Sequence, residues 1–185
     1  MTMTGLFARI RATSRSRVRK LGITVAASMV GIFLAFGFLG IRFNSSPSLP
    51  VGLYIITSDE HANLVEFCPG EPFASLSIAR GYRGQGVCAD GAAPLLKPVV
   101  AGAGDLVDLS NHGISVNGLL LPNTVPLSKD SRGRELQPWR FGRYAVASGT
   151  VWVASSYHPR SLDSRYFGPV PTSSIRHRLK PLLTL

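Results

Sequence analysis

The sequence predicts a mainly β domain that follows one N-terminal membrane-spanning helix. Residues 21–41 form an uncharged apolar run, and the 20 residues before it carry six positive charges and no acid. After residue 41, short runs of β-branched and aromatic residues are separated by Gly and Pro, without a long 3.6-residue period. We therefore expect a cytoplasmic tail at residues 1–20, a transmembrane anchor at residues 21–41 and a folded domain at residues 42–185.

The apolar run is long enough to cross a bilayer. Its 21 residues would form a helix of roughly 32 Å, against a hydrocarbon core of about 30 Å. A cleavable signal peptide has a hydrophobic region of only about 7–15 residues, so we expect an uncleaved signal anchor. The positive charges before it place the N-terminus in the cytoplasm and residues 42–185 on the far side of the membrane. The lipid bilayer is thus a predicted partner.

The positive charge of the chain has a simple explanation in this topology. The net charge is +10, of which residues 1–20 contribute +6, and the remainder has 14 basic and 10 acidic residues. A basic chain can bind nucleic acid, but here the excess lies where the positive-inside rule requires it. We therefore expect no nucleic-acid partner.

The two cysteines, Cys68 and Cys88, fit an exported domain. An even number of cysteines in an oxidising compartment favours a disulfide, which across a loop of about 20 residues would contribute on the order of 3 kcal/mol. Two unrelated buried thiols are the alternative. The four histidines are scattered and lack ligand spacing with the cysteines, so we expect no metal site. We also find no cofactor fingerprint and expect no cofactor.

The expected strands can be placed in order along the domain. Residues 52–57 (GLYIIT) form a β-branched and aromatic run, and residues 105–121 read as a meander with turns at 111–113 and 117–118. Residues 128–140 are polar and predict a loop, and residues 144–155 predict two strands joined at Ser148-Gly149. The basic and then apolar tail, residues 174–185, is compatible with a terminal strand or with a segment lying on the anionic bilayer surface.

Lys97 lies in an unusual place for a lysine. It is the only charged residue between Asp90 and Asp105, within the apolar stretch APLLKPVVAGAG. Lysine is almost never fully buried without a reason, and burial lowers its pKa towards the range in which it can act as a base. A neutral lysine can activate a serine hydroxyl. The alternative is a lysine on an edge strand, which keeps its charge in water and protects the sheet edge.

Three blocks of residues follow the predicted anchor: residues 46–52 (SPSLPVG), 97–105 (KPVVAGAGD) and 161–168 (SLDSRYFG). In this order they resemble the type I signal peptidase family, whose members are serine proteases with a Ser-Lys dyad. The more specific resemblance is to the conjugative-transfer, TraF-type branch, which processes pilin subunits. It implies a signal-peptidase-like β-rich catalytic domain and a single-pass protein of the bacterial inner membrane with a periplasmic active site.

The resemblance also implies roles for individual residues. Ser48 would be the nucleophile, Lys97 the general base, and Ser46 a donor to the oxyanion beside the Ser48 backbone N–H. Ser161 would hydrogen-bond the lysine and orient it. The supporting ion pair beneath the site would consist of Asp163 and Arg165. From the residues alone, Ser46 could instead be a turn residue, and a Ser-His-Asp site with His158 and Asp163 is a weaker alternative because it leaves Lys97 unexplained.

The implied substrate is a membrane-associated precursor protein, with a conjugative pilin as the first candidate. In that branch the acyl-enzyme can be resolved by the substrate's own N-terminal amine, which yields a cyclic product. This chain departs from ordinary signal peptidases in having one residue between Ser48 and Pro50, Pro98 after the lysine, and SSYHPR at 155–160 in place of a Gly-Asp-Asn-Arg segment. Two other functions stay open, a general type I signal peptidase and a catalytically inactive component of a conjugation or secretion apparatus.

Overall fold

The computed structural model describes residues 19–31 and 37–185. Residues 19–31 form a helix, α1, and residues 37 and 38 are also helical. In these described ranges, no helix has both the length and the apolarity that crossing a bilayer requires. The predicted tail and anchor lie partly outside the description, at residues 1–18 and 32–36, so both stay predictions. Residues 42–185 form a compact unit of their own.

The larger of two sheets in this unit has seven strands. Their spatial order is β1-β2-β11-β3-β4-β9-β10. The bounds are β1 Ile41–Asn44, β2 Gly52–Thr57, β3 Leu64–Phe67, β4 Leu95–Ala101, β9 Thr150–Val153, β10 Val170–Pro171 and β11 Ile175–Thr184. Every strand pair from β2 to β10 in this order is antiparallel. The predicted strand at residues 52–57 is confirmed as β2.

The smaller sheet has four strands in the order β7-β6-β5-β8. They are β5 Leu106–Ser110, β6 Gly113–Val116, β7 Leu119–Leu120 and β8 Gly142–Ala145. Asn117 and Gly118 join β6 to β7, and both have positive φ, at 51° and 85°. A two-residue hairpin turn of type I′ needs positive φ at both positions, which explains the Asn-Gly pair. The predicted meander at residues 105–121 is confirmed.

The fold unites the sheets through a common apolar core. Buried residues of β5 and β6 pack with Trp152 of β9 and with Ala101 at the end of β4. A second cluster lies on the larger sheet and contains Val65, Phe67, Val151, Val153 and Val170. Strands β4 and β9 contribute to both clusters. Core packing on both sides therefore holds the backbone around Lys97 in place.

The strand pairing decides three expectations, which concern residues 144–155, the C-terminal tail and the strand of Lys97. The strands within residues 144–155 exist, but they do not form a hairpin, because β8 pairs with β5 and β9 pairs with β4 and β10. The tail forms β11, which lies between β2 and β3, so the terminal-strand alternative is confirmed. The edge-strand alternative for Lys97 is wrong, because β4 lies between β3 and β9.

Short helices and one disulfide complete the unit. Helix α2 spans Phe73–Ala79, and helix α3 spans Ser164–Phe167. Cys68 and Cys88 are joined by a disulfide that closes the segment containing α2. Residues 128–140 form the predicted loop, apart from one isolated bridge between Lys129 and Glu135.

Candidate active site

The turn between β1 and β2 holds Ser46 and Ser48 close together. Their hydroxyl oxygens are 2.9 Å apart and share a hydrogen bond, and the Ser48 N–H donates to Ser46 Oγ at 3.3 Å. The Asn44 side chain shapes this turn, because its amide donates to the carbonyls of Ser46, Leu49 and Pro50 while its oxygen accepts from the Ser46 N–H. Ser48 is thereby presented from a rigid turn and is only 5% exposed.

A second anchor attaches this turn to the end of β9. The Ser155 hydroxyl donates a hydrogen bond to the Ser48 carbonyl and accepts one from the Tyr157 N–H at 3.1 Å. Ser155 is fully buried, and its own N–H donates to Asp163 Oδ2 at 3.1 Å. The nucleophile candidate is therefore connected through one residue to the Asp163 carboxylate.

Lys97 lies in the middle of β4, where its partners in the adjacent strands are apolar. Val65 of β3 is opposite Lys97, and Val99 two residues on is opposite Val153 of β9. Because strand side chains alternate in direction, Lys97 shares a face with Leu95 and Val99, which pack on the apolar cluster of the larger sheet. Lys97 is accordingly only 4% exposed.

This environment changes the acidity of the lysine. Burial lowers the pKa of Lys97 from 10.5 to about 8, an effect that the charge of Asp163 opposes and that of Arg165 assists. Burial dominates because an ammonium loses its hydration among apolar side chains. About a tenth of this lysine is therefore neutral, and able to accept a proton, at pH 7, and about half of it at pH 8.

Asp163 and Arg165 form a fully buried ion pair. Arg165 Nε donates to Asp163 Oδ1 at 2.8 Å and Arg165 Nη2 donates to Oδ2 at 2.9 Å, which is bidentate geometry. Nη2 also donates to the Ser161 carbonyl at 2.7 Å. Nη1 donates to the carbonyls of Asn123, Val125 and Pro159. The pair holds two loops and the start of α3 in place around the site.

Comparison with known proteins identifies the family of this arrangement. The family model described as "Signal peptidase, peptidase S26" matches residues 15–182, which is nearly the whole chain. This chain belongs to the signal peptidase S26 family.

Relatives of this S26 family member are similar along most of their length. A plasmid transfer protein TraF of Escherichia coli is 34% identical over 167 residues, which are 88% of this chain and 94% of the relative. A probable conjugal transfer protein TraF of Sinorhizobium fredii is 36% identical, over 95% of this chain and 96% of the relative. Among solved structures, a signal peptidase I of Enterococcus faecalis matches at 19% identity and a TM-score of 0.36, covering 68% of this chain and 99% of that one.

The geometry of this S26 site brings some of the expected residues together and leaves others apart. Ser46 and Ser48 are in contact, and Asp163 and Arg165 are paired. Among the described residues, however, no hydrogen bond joins Lys97 Nζ to Ser48 Oγ, whose hydrogen-bond partner is Ser46 Oγ. Ser161 Oγ is buried and has no partner among the described residues, so its predicted bond to Lys97 is not formed in this state.

The Ser-His-Asp alternative has no support in this geometry. Both carboxylate oxygens of Asp163 are occupied by Arg165 and Ser155. His158 Nδ1 instead accepts a hydrogen bond from the Arg160 N–H at 3.1 Å. A catalytic histidine needs a carboxylate that fixes its tautomer, and the described part of the chain pairs none with His158.

A cavity of about 260 Å³ opens beside the nucleophile candidate. Its walls include Ser46 and Ser48 together with Leu136, His158 and Tyr166. Leu127 and Leu162 add apolar surface to the wall, and Leu136 is the apolar contribution of the predicted loop at 128–140. A chain that reaches Ser48 can occupy this space.

Sequence reasoning missed two residues that hold the nucleophile turn. Asn44 carries a recognisable signal, because an Asn side chain before a turn commonly accepts a hydrogen bond from the backbone N–H two residues later, which is an Asx turn. Asn44 makes this bond to Ser46. Ser155 carries none, since nothing in the run Ser155-Ser156 distinguishes the serine that is fully buried from its neighbour.

Proposed function

We propose that this protein is a membrane-anchored serine endopeptidase that cleaves membrane-associated precursor proteins with a Ser48-Lys97 dyad. The observation that carries the proposal is the lysine in the centre of the larger sheet, which is buried with a pKa of about 8. Family membership supports peptidase chemistry. Serine-type catalysis rests on Lys97 and on the paired hydroxyls of Ser46 and Ser48.

The proposed reaction starts with proton transfer from Ser48 to neutral Lys97. Ser48 Oγ leaves its bond to Ser46, passes its proton to Lys97 Nζ and attacks the scissile carbonyl carbon. The Ser48 N–H, released from its bond to Ser46 Oγ, and the Ser46 hydroxyl would then donate to the oxyanion, a contribution of roughly 3–4 kcal/mol for each donor at comparable sites. The protonated Lys97 returns its proton to the leaving amine, and an acyl-enzyme remains on Ser48.

Ser161 completes this mechanism as a positioning residue. Its hydroxyl is buried and has a free hydrogen-bonding capacity among the described residues. In the reacting state it would accept from or donate to Lys97 Nζ and restrict its direction. Asp163 and Arg165 would maintain the loops that carry Ser155 and Ser161.

We further propose a role in conjugation, on the inner membrane of a bacterium. The similar proteins of Escherichia coli and Sinorhizobium fredii are named for plasmid or conjugal transfer. The favoured substrate is a pilin precursor, and residues 21–41 would anchor the enzyme with its N-terminus in the cytoplasm and residues 42–185 in the periplasm. No cofactor and no nucleic acid enter this scheme.

The decisive experiment measures the mass of a candidate conjugative pilin co-expressed with the wild-type chain or a variant. Ser48→Ala and Lys97→Ala should each leave the pilin at precursor mass. The matched control is Lys180→Ala, because Lys180 is half-exposed and paired with Asp59 away from the site. Normal processing by either dyad variant would refute the dyad.

The same experiment separates the alternatives. A general signal peptidase would also process unrelated exported precursors in cells depleted of their own enzyme, whereas an inactive component would process none. Cyclisation by the pilin's N-terminal amine would yield a product lighter by one water than the hydrolysed product. Mass spectrometry distinguishes all of these outcomes.

A further inference from the structure

A large groove continues from the Ser48 cavity across the surface of the domain. It has a volume of about 1630 Å³ and shares Lys129, Leu136 and Tyr166 with the smaller cavity. One wall is the segment around α2, and the other is the stretch at 135–140 with the residues that follow α3. We call it the Trp139 groove, after the indole on that second wall.

The walls of the Trp139 groove are rich in aromatic rings and prolines. Its aromatic members are Phe73, Trp139, Tyr144, Tyr166 and Phe167. Its prolines are Pro69, Pro72, Pro138, Pro169 and Pro171. Aromatic-lined grooves can bind an extended chain through its side chains, and the rings and prolines of these walls offer apolar contact surface of that kind.

Trp139 is fixed in place by the same block that carries the ion pair. The Trp139 N–H donates to the Arg165 carbonyl at 2.7 Å. Its indole lies against Gly168, where an added Cβ would be only 2.6 Å from the ring. Trp139 nevertheless remains 37% exposed. The groove therefore has a preformed aromatic surface, which reduces the entropy lost when a ligand binds.

The size and charge of the groove indicate what it binds. Its volume exceeds the roughly 300–1,000 Å³ of ordinary small-molecule pockets. Its ionisable members have nearly balanced charge, with Arg80, Lys129 and Arg140 against Glu71 and Glu135. An apolar, elongated ligand fits these properties better than a charged one. The groove and the Ser48 cavity share lining residues. A polypeptide bound at Ser48 can therefore extend into the groove.

We propose that the Trp139 groove binds an extended, mainly apolar segment of the precursor polypeptide, adjoining the residues that enter the Ser48 cavity. The inference rests on the proposed peptidase function and adds a binding surface outside the catalytic residues. It makes affinity depend on substrate residues remote from the scissile bond. Such remote contacts supply binding energy for orientation at the reacting centre.

Two matched pairs of variants test the proposal. Leu76 and Ile78 are both exposed on α2, at 37% and 43%, but only Leu76 lines the groove. Trp139 and Phe141 are both exposed aromatics, but only Trp139 lines the groove, on its opposite wall. The full chain with Ser48→Ala, purified in detergent, is titrated with the candidate pilin precursor to measure the Kd.

We expect Leu76→Glu and Trp139→Ala each to raise the Kd about tenfold or more, the equivalent of about 1.4 kcal/mol. Ile78→Glu and Phe141→Ala should stay within about twofold of the parent protein. The groove assignment would be overturned if, in both pairs, the groove variant and its control changed the Kd equally. It would also be overturned if neither groove variant changed the Kd. A photo-crosslinker at Ser75, a groove residue, should capture the precursor, and capture of only lipid or a second copy of this chain would also overturn it.

The outcomes separate this proposal from the proposed function. Cleavage by wild type combined with a normal Kd for both groove variants would reject the groove alone. Weakened binding in the groove variants without any cleavage by wild type would reject the peptidase function and keep the groove as a binding surface. Failure of the Ser48→Ala protein to bind the precursor, together with no cleavage by wild type, would reject both.

Discussion

Replacing Lys97 with methionine should stabilise the protein at neutral pH while abolishing cleavage. Burial lowers the pKa of Lys97 from 10.5 to about 8. Because one pKa unit corresponds to about 1.4 kcal/mol, keeping the ammonium in the folded state costs roughly 3 kcal/mol. Methionine has a similar unbranched shape and no charge, so it fills the site without that cost.

The pH dependence of this effect follows from the direction of the pKa change. Below pH 8, the folded and unfolded chains both carry the proton on Lys97, and the full cost is present. Between pH 8 and 10.5 the unfolded chain binds more protons than the folded one, so the stability of the wild type rises with pH. The advantage of Lys97→Met should therefore be greatest at pH 7 and nearly gone at pH 10.5.

Urea denaturation in a common detergent, followed by tryptophan fluorescence, measures this difference. Trp152 is a suitable reporter because it is only 1% exposed. Lys180→Met is the control and should change the free energy of unfolding by no more than about 1 kcal/mol, because Lys180 is half-exposed. A Lys97→Met protein no more stable than wild type at pH 7, or an advantage that does not change with pH, would refute the reasoning.

Three further predictions concern catalysis by the wild-type and variant chains on the same precursor. The kcat/KM of the wild type should rise about tenfold per pH unit and level off near pH 8, the pKa of Lys97; a flat profile would contradict a lysine base. Ser46→Ala should slow cleavage by about 10²-fold with little change in KM, and an unaffected rate would return Ser46 to a turn role. Ser155→Ala removes the donor to the Ser48 carbonyl and should lower kcat about tenfold, so an unchanged kcat would show that this bond does not position the nucleophile.

Local sequence signals predicted the parts of the fold that are themselves local. The Asn117-Gly118 turn fixes its hairpin through backbone conformation alone, and the strand at 52–57 follows from side-chain type. Pairing between distant strands has no such signal. The two strands around Ser148-Gly149 look like a hairpin, yet core packing assigns them to different sheets.

The residues of the candidate site also divide into those that a local sequence signal reveals and those that depend on a distant partner. Ser46, Ser48 and Lys97 could be found because each belongs to a residue block of a known family, and Lys97 also because a charge interrupts an apolar run. Ser155 could not, because its importance comes from a partner that is 107 positions away. The polar loop at 128–140 gave no indication that it would turn Leu136 towards the nucleophile.

The position of β11 has a consequence for biogenesis. It comes after all the other described strands along the chain, yet it provides the link between β2, which follows the nucleophile turn, and β3, which adjoins the strand of Lys97. The link between β2 and β3 in the larger sheet therefore cannot form until residues 175–184 have been made. Under the proposed membrane topology, a partly translocated chain would lack the strand between β2 and β3, so the proposed peptidase would be incomplete until residues 175–184 had crossed the membrane.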